Sequence, residues 1–227
     1  MSIHYSPTTV TSGLVLCLDA GNAKSYPGSG TTWTDLSGNG NHGTLVNGPT
    51  FNSANGGSIV FDGANDVVDV ANSANLNFTD KTSFTSWVKL SAYVVSGVGR
   101  IHGREGYIFE VAAGSITGAG GVPQGNIGIY TIPMAWKNTG YHLDLNTWYQ
   151  VTVVFGGTFW QVYVNSVLVW TSGSTTINIS GKIGIGSTYN ATEGTNGLIS
   201  SVSIYNRALS AAEIYQNFNA LRGRYGV

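Results

Sequence analysis

Hydrophobic and polar residues alternate with a period of two along much of this chain, the spacing of strands that bury one face. The clearest run is Trp148 to Trp170, WYQVTVVFGGTFWQVYVNSVLVW. Tyr149, Val151, Val153 and Phe155 share one face of a first strand. Gly156-Gly157 then reverses the chain, because glycine tolerates the positive φ of a short hairpin loop. On the second strand Trp160, Val162 and Val164 point one way, and Gln161, Tyr163 and Asn165 the other. Asn165-Ser166 makes the next turn, with Asn in the left-handed position. A meander this apolar requires a second sheet across its buried face.

The rest of the chain supplies it. Leu14, Leu16 and Leu18 alternate with Val15, Cys17 and Asp19 in a strand apolar on both faces. Residues 21–43 form a polar loop, pinned by Trp33 and Leu36. Asn47-Gly48-Pro49 and Asn55-Gly56-Gly57 are turns. Short strands follow at Ser58–Phe61 and Val67–Val70, then a full central strand in which Phe84, Ser86, Val88 and Leu90 share a face. Tyr107–Val111 and Asn126–Tyr130 read as strands, followed by an aromatic loop holding Met134, Trp136, Tyr141 and His142. In Lys182–Gly186 the isoleucines share one face and bare glycines the other, the mark of a close backbone approach. Leu198, Val202 and Ile204 line the buried side of a final strand.

One helix is expected. Ser210 and Glu213 form a capping box, with Leu209 and Ile214 in the staple positions. Ile214, Phe218 and Leu221 make one apolar stripe, and Gly223 stands where a C-cap belongs. The pattern predicts an all-β, two-sheet antiparallel jelly-roll sandwich with one short C-terminal helix. It divides into an arm at 1–12, a domain at 13–221 and a tail at 222–227. The arm is either a disordered start or an inter-subunit strap.

Composition narrows the possibilities. Charged residues are 9 % of the chain, against about 25 % in an ordinary soluble domain. Gly counts 32, roughly double the usual share. The polar surface is therefore Ser, Thr and Asn, which suits packing against copies or partners. A net charge of -1 and no polybasic run argue against nucleic acid or an anionic membrane. Cys17 is the single cysteine, so no intrachain disulfide forms, and its apolar strand favours an inert thiol. No signal peptide or spanning segment is evident in the sequence.

Several segments, in order, carry a family resemblance: Asp35–Leu45 (DLSGNGNHGTL), Phe61-Asp62-Gly63, Trp87-Val88, Trp148, Val162–Asn165, Gly197-Leu198-Ile199, Ile204–Ser210 (IYNRALS) and Glu213-Ile214. This set resembles laminin G-like domains of the concanavalin A-like lectin/glucanase superfamily over residues 13 to 221. Ser166 departs from it, since the family usually has Gly after that Asn. The unadorned domain, its Gly/Ser/Thr/Asn surface and the tail from Phe218 through Arg222-Gly223-Arg224-Tyr225-Gly226 are similar to laminin G-like virion proteins of tailed phages. That likeness implies a head-decoration, neck, tail or fibre protein located in the virion. Its partners would then be other virion proteins and copies of itself in a homo-oligomer.

The candidate chemistry is sparse. Glycoside hydrolysis needs two carboxylates across a cleft. Laminarinase-type relatives carry E-x-D-x-x-E on one strand, and no such run is present. Glu105 and Glu110 would face opposite ways on a continuous strand. The protein is therefore expected not to be an enzyme. A Ca²⁺ site could use Asp62 to Asp66, or Asp35 with Asn39 and Asn41, but Asx turns explain these residues better. No cofactor is expected. His4, His42, His102 and His142 lack metal spacing, no G-x-S-x-G is present, and Gly118–Gly121 lacks the context of a phosphate loop. Tyr130, Trp136 and Tyr141 could stack on the rings of a surface glycan. The alternative is that they fold onto the core or into a subunit contact.

Overall fold

The computed structural model describes residues 8–94, 98–105, 109–113, 121–131, 135–173 and 177–227. Tyr107, Ile108, Met134, His4 and Gly118–Gly120 lie outside them. Two eight-stranded antiparallel sheets face each other, as the alternation predicts. The first sheet runs in the order β14 (Val167–Ser172), β13 (Trp160–Val164), β12 (Trp148–Phe155), β7 (Thr82–Leu90), β16 (Asn196–Tyr205), β5 (Ser58–Asp62), β4 (Thr50–Asn52). Its remaining strand, β1 (Leu14–Asp19), also pairs with β16. The second sheet runs β11 (Ala135–His142), β10 (Asn126–Thr131), β9 (Phe109–Ala113), β8 (Arg100–Arg104), β15 (Ile183–Ile185), β6 (Val67–Val70), β3 (Gly43–Val46), β2 (Thr32–Trp33).

Between the sheets lies one continuous core. It holds Tyr149, Val151, Val153 and Phe155 from β12, Trp160, Val162 and Val164 from β13, and Phe84, Val88 and Leu90 from β7. Ile183 and Ile185 meet them from β15. A Cβ on Gly184 would stand 2.6 Å from the Thr188 carbonyl carbon, so the glycine face of β15 is indeed a close backbone approach. The β13–β14 turn places both Asn165 (φ 47) and Ser166 (φ 66) in the left-handed region. That is the two-residue hairpin geometry whose twist matches the strands it joins.

Two bulges redirect side chains that simple alternation places elsewhere. The β1–β16 register shifts between Leu14 and Leu16. Val15 and Leu16 therefore both enter the core, while Leu14 packs on the outer side. In β16 the register against β7 shifts between Ile199 and Ser201. Ile199, Val202 and Ile204 face the core, and Leu198 joins the cluster beneath the helix instead. Trp33 pins the 21–43 loop with no exposed surface, but Leu36 stays at the surface, 37 % exposed.

The helix α1 (Ala211–Tyr225) covers the outer face of the first sheet. Its capping box is complete: Glu213 N–H donates to Ser210 Oγ, and Ser210 N–H to Glu213 Oε2. Arg207 holds the same carboxylate through two bonds of 2.9 and 2.7 Å. Gly223 is not the cap. The helix runs on to Tyr225 and ends at Gly226, φ 72. Tyr225 is buried against Trp87 and Trp148, a packing gain of about 2 kcal/mol that carries the helix past Gly223. Arg224, expected in a tail, bonds Asp19 at 2.6 and 3.1 Å.

The described part of the arm is docked. Val10 is buried, its N–H donates to Asn217 Oδ1 (2.7 Å), and its carbonyl accepts from Tyr205 Oη (3.0 Å). No helix among the described residues is long and apolar enough to cross a membrane.

Candidate functional site

The expected aromatic loop is a strand. β11 pairs with β10 and forms one edge of the second sheet. In β10, Ile127 and Ile129 face the core, so Gly128 and Tyr130 face outward. Tyr130 is directly opposite Trp136, with ring centroids 5.4 Å apart and planes tilted by 51°. Gly128 makes room for the indole. A Cβ there would stand 2.9 Å from Val122 Cγ2 and 3.2 Å from Trp136 Cε3.

Arg100 completes the patch. It is opposite Ala112, which is opposite Gly128, so one row of the sheet passes from a guanidinium over two small residues. Its Cζ lies 5.6 Å from the centroid of the Trp136 ring, within cation–π range. Arg100 is 4 % exposed and pairs with Glu193 at 2.5 Å. The result is a half-buried, tilted aromatic pair backed by a neutralised charge. An apolar ring face beside charged hydrogen-bonding groups can take the C–H face of a sugar while its hydroxyls find polar partners.

Tyr141 is not part of it. The β10–β11 register shifts between Asn126 and Gly128. Thr139 is buried and donates to the Ile127 carbonyl, and Gly140 takes φ 77. Tyr141 turns inward, packs on the core margin and meets Tyr149 edge-on at 6.4 Å. The chain therefore brings two of its three candidate aromatics together. Arg100 and Glu193 were not foreseen, because nothing in the sequence ties residue 100 to residue 193. The lone glycine inside the apolar β10 run was the available signal of a close approach.

The other candidates have internal partners. Asp35 Oδ1 accepts from the N–H groups of Cys17 (2.8 Å) and Ser37 (2.9 Å). Its Oδ2 accepts from Asn41 N–H (3.0 Å) and Ser37 Oγ (2.7 Å). Asp62 Oδ1 accepts from Ala64 N–H, and Asp66 Oδ2 from Asp62 N–H. These are turn-forming bonds, and among the described residues no three His, Cys, Asp or Glu side chains converge. Glu105 follows β8 whereas Glu110 lies in β9, so the two do not share a strand. Cys17 lines a groove of about 180 Å³ between β1, β16 and α1 with Leu14, Leu36, Ser203 and Leu221. Burial pushes its thiol up to about 11, so it stays protonated and weakly nucleophilic at neutral pH.

A laminin G-type family model, described as the concanavalin A-like lectin/glucanases superfamily, matches residues 62–215. No protein of curated function matches the sequence. Among solved structures, domain 4 of AbnA, a GH43 extracellular arabinanase from Geobacillus stearothermophilus in complex with arabinotriose, superposes with a TM-score of 0.70 at 16 % identity. The match covers 91 % of this chain and 98 % of that one. Trypanosoma rangeli sialidase gives 0.71 at 15 % identity, over 99 % of this chain but 36 % of the sialidase. The binding domain of Paraclostridial Mosquitocidal Protein 1 gives 0.69 at 15 %, over 92 % and 52 %. At these identities the likeness shows a shared fold.

Proposed function

The chain belongs to the concanavalin A-like lectin/glucanase superfamily, and from that premise we propose that it is a non-enzymatic structural component of a phage virion. It would serve as a head-decoration, neck, tail or fibre protein among other virion proteins and copies of itself. The observation that carries this reading is the surface. With 9 % charged residues, it lacks the dense mixed charge that keeps independent proteins apart. Mass spectrometry and electron microscopy of purified particles from a phage encoding the chain test it. The polypeptide is expected as a stoichiometric particle component, and its absence from purified particles refutes the role.

The outer-face aromatic pair favours a second reading, a carbohydrate-binding module or a receptor-binding fibre tip. Trp136 would stack on a sugar ring, Tyr130 would flank it, and Glu193, the more exposed member of the Arg100 pair, would bond a hydroxyl. The arabinanase domain bound to arabinotriose supports this reading by its fold. A glycan array with Trp136→Ala as control checks it. Retention of particular glycans by the native chain and loss by the variant are expected. Binding to no glycan, or equal binding by both proteins, counts against it.

A further inference from the structure

We propose that the β14 edge of the first sheet is the surface through which two copies of this chain join, their β14 strands pairing antiparallel across a two-fold axis. An uncovered strand edge is a row of unpaired donors and acceptors that invites another strand, and proteins blunt such edges by charge, proline, brevity or cover.

The other free edges of the sandwich are blunted in these ways. Loop residues close the outer side of β1: Asp35 accepts Cys17 N–H, Leu36 N–H donates to the Cys17 carbonyl, and Asn41 and Ser37 donate to the Val15 carbonyl. β4 has three residues and follows Pro49, and β2 has two. β11 carries Lys137 and is broken by Gly140.

β14 is six residues long and reads Val-Leu-Val-Trp-Thr-Ser, with neither charge nor proline. Among the described residues, β11 of the second sheet approaches β14, but no segment besides β13 hydrogen-bonds to Val167–Thr171. The bulge at Val169 has an inward cause, because Val169 and Trp170 both pack on the core. Val167 and Leu168 are left 63 % and 46 % exposed, on opposite faces of the strand.

The occupant follows from symmetry. A two-fold axis sets a patch against its own copy, so any net charge on the patch repels itself. From Leu145 to Gly181 the sequence contains no Asp, Glu, Lys, Arg or His. An antiparallel strand edge is likewise complementary to itself, each N–H finding a C=O of the copy. A neutral, apolar, uncapped strand therefore suits a second copy better than a charged partner. The pairing stands apart from the virion and glycan readings and needs neither.

Sedimentation equilibrium of the full chain tests it. The native protein is expected to associate to twice its 23.8 kDa mass. Leu168→Lys and, separately, Thr171→Lys place like charges across the axis at exposed positions and should weaken association by about tenfold or more. Circular dichroism should be unchanged, and at concentrations too low for association the melting midpoint should match the native chain's, showing that each variant folds. Thr50→Lys on β4, at the opposite edge of the same sheet, should leave association intact. The proposal falls if the native chain stays monomeric. It falls equally if both β14 variants associate as tightly as the native chain, or if only Thr50→Lys disrupts association.

Discussion

Tyr225, two residues before Val227, stacks on Trp87 of the central strand β7 with ring centroids 4.0 Å apart. Its hydroxyl donates to Ser200 Oγ (2.8 Å), and Ser200 Oγ–H donates to the Gly57 carbonyl (2.6 Å). The end of the chain is thereby locked onto the first sheet. Tyr225→Ala should cost about 3 kcal/mol in urea denaturation, whereas Tyr225→Phe, which keeps the ring, should cost about 1 kcal/mol. Equal losses from the two variants would show that the hydroxyl, not the stack, holds the helix.

Asn217 on α1 ties the docked arm to the final strand. Its Oδ1 accepts Val10 N–H, and its Nδ2 donates to Tyr205 Oη (3.1 Å). Asn217→Ala orphans the buried Val10 N–H and removes one of the two bonds of Tyr205 Oη, and should destabilise by about 2 kcal/mol. Removing residues 1–12 should lower the melting midpoint comparably. An arm that contributes nothing would leave the midpoint where it was.

His102 predicts the acid response. Its ring stacks on Phe84 in the core, 5.0 Å between centroids. Burial, with the nearby Arg104 charge second, pushes the imidazole from 6.5 down to about 3. The unfolded chain binds this proton near pH 6.5 and the folded chain does not. Stability is therefore full above pH 6.5 and falls as pH drops toward 3, by a few kcal/mol in all. Glu213 acts in a lower window. Its bonds from Arg207, then Ser210, pull it from 4.5 down to about 2, so its contribution fades only as pH falls through that range. His102→Leu should flatten the stability curve between pH 6.5 and 4.5 and leave the steeper loss below it. Chemical denaturation across pH measures both.

Ser166 holds φ 66 in a hairpin turn where glycine would rest without strain. Ser166→Gly gives up the bond from Ser166 Oγ to the Asn165 carbonyl but relieves the left-handed penalty. The expected net gain is about 0.5–1 kcal/mol, read as a higher melting midpoint. A lower midpoint would mean that the hydroxyl bond outweighs the strain.

The strands of the Trp148–Trp170 run were legible because each side chain's face follows from its position alone. The capping box of Ser210 and Glu213 was legible for the same reason: its two partners are three residues apart. What was hidden depends on distant partners. Leu14 and Leu198 sit beside bulges that exist only when β16 pairs with β1 and β7. The helix end moved from Gly223 to Gly226 because Trp87 receives Tyr225. The 135–142 segment read as a loop because Asn138, Thr139 and Gly140 interrupt its alternation, and pairing with β10 overrides that local signal. At the candidate site Tyr130 and Trp136 were visible as residue types. Their shared face, the exclusion of Tyr141 and the Arg100–Glu193 pair all depend on the sheet.

β16 is the last strand in the sequence yet sits in the middle of the first sheet, with β7 on one side and β5 and β1 sharing the other. A growing chain that has not yet released residue 205 from the ribosome therefore has two half-sheets and nothing to join them. Its early strands must wait, with edges open, for a segment about 180 residues downstream of β1. Long-range closure of this kind slows folding and leaves the edges of the early strands exposed until β16 has emerged.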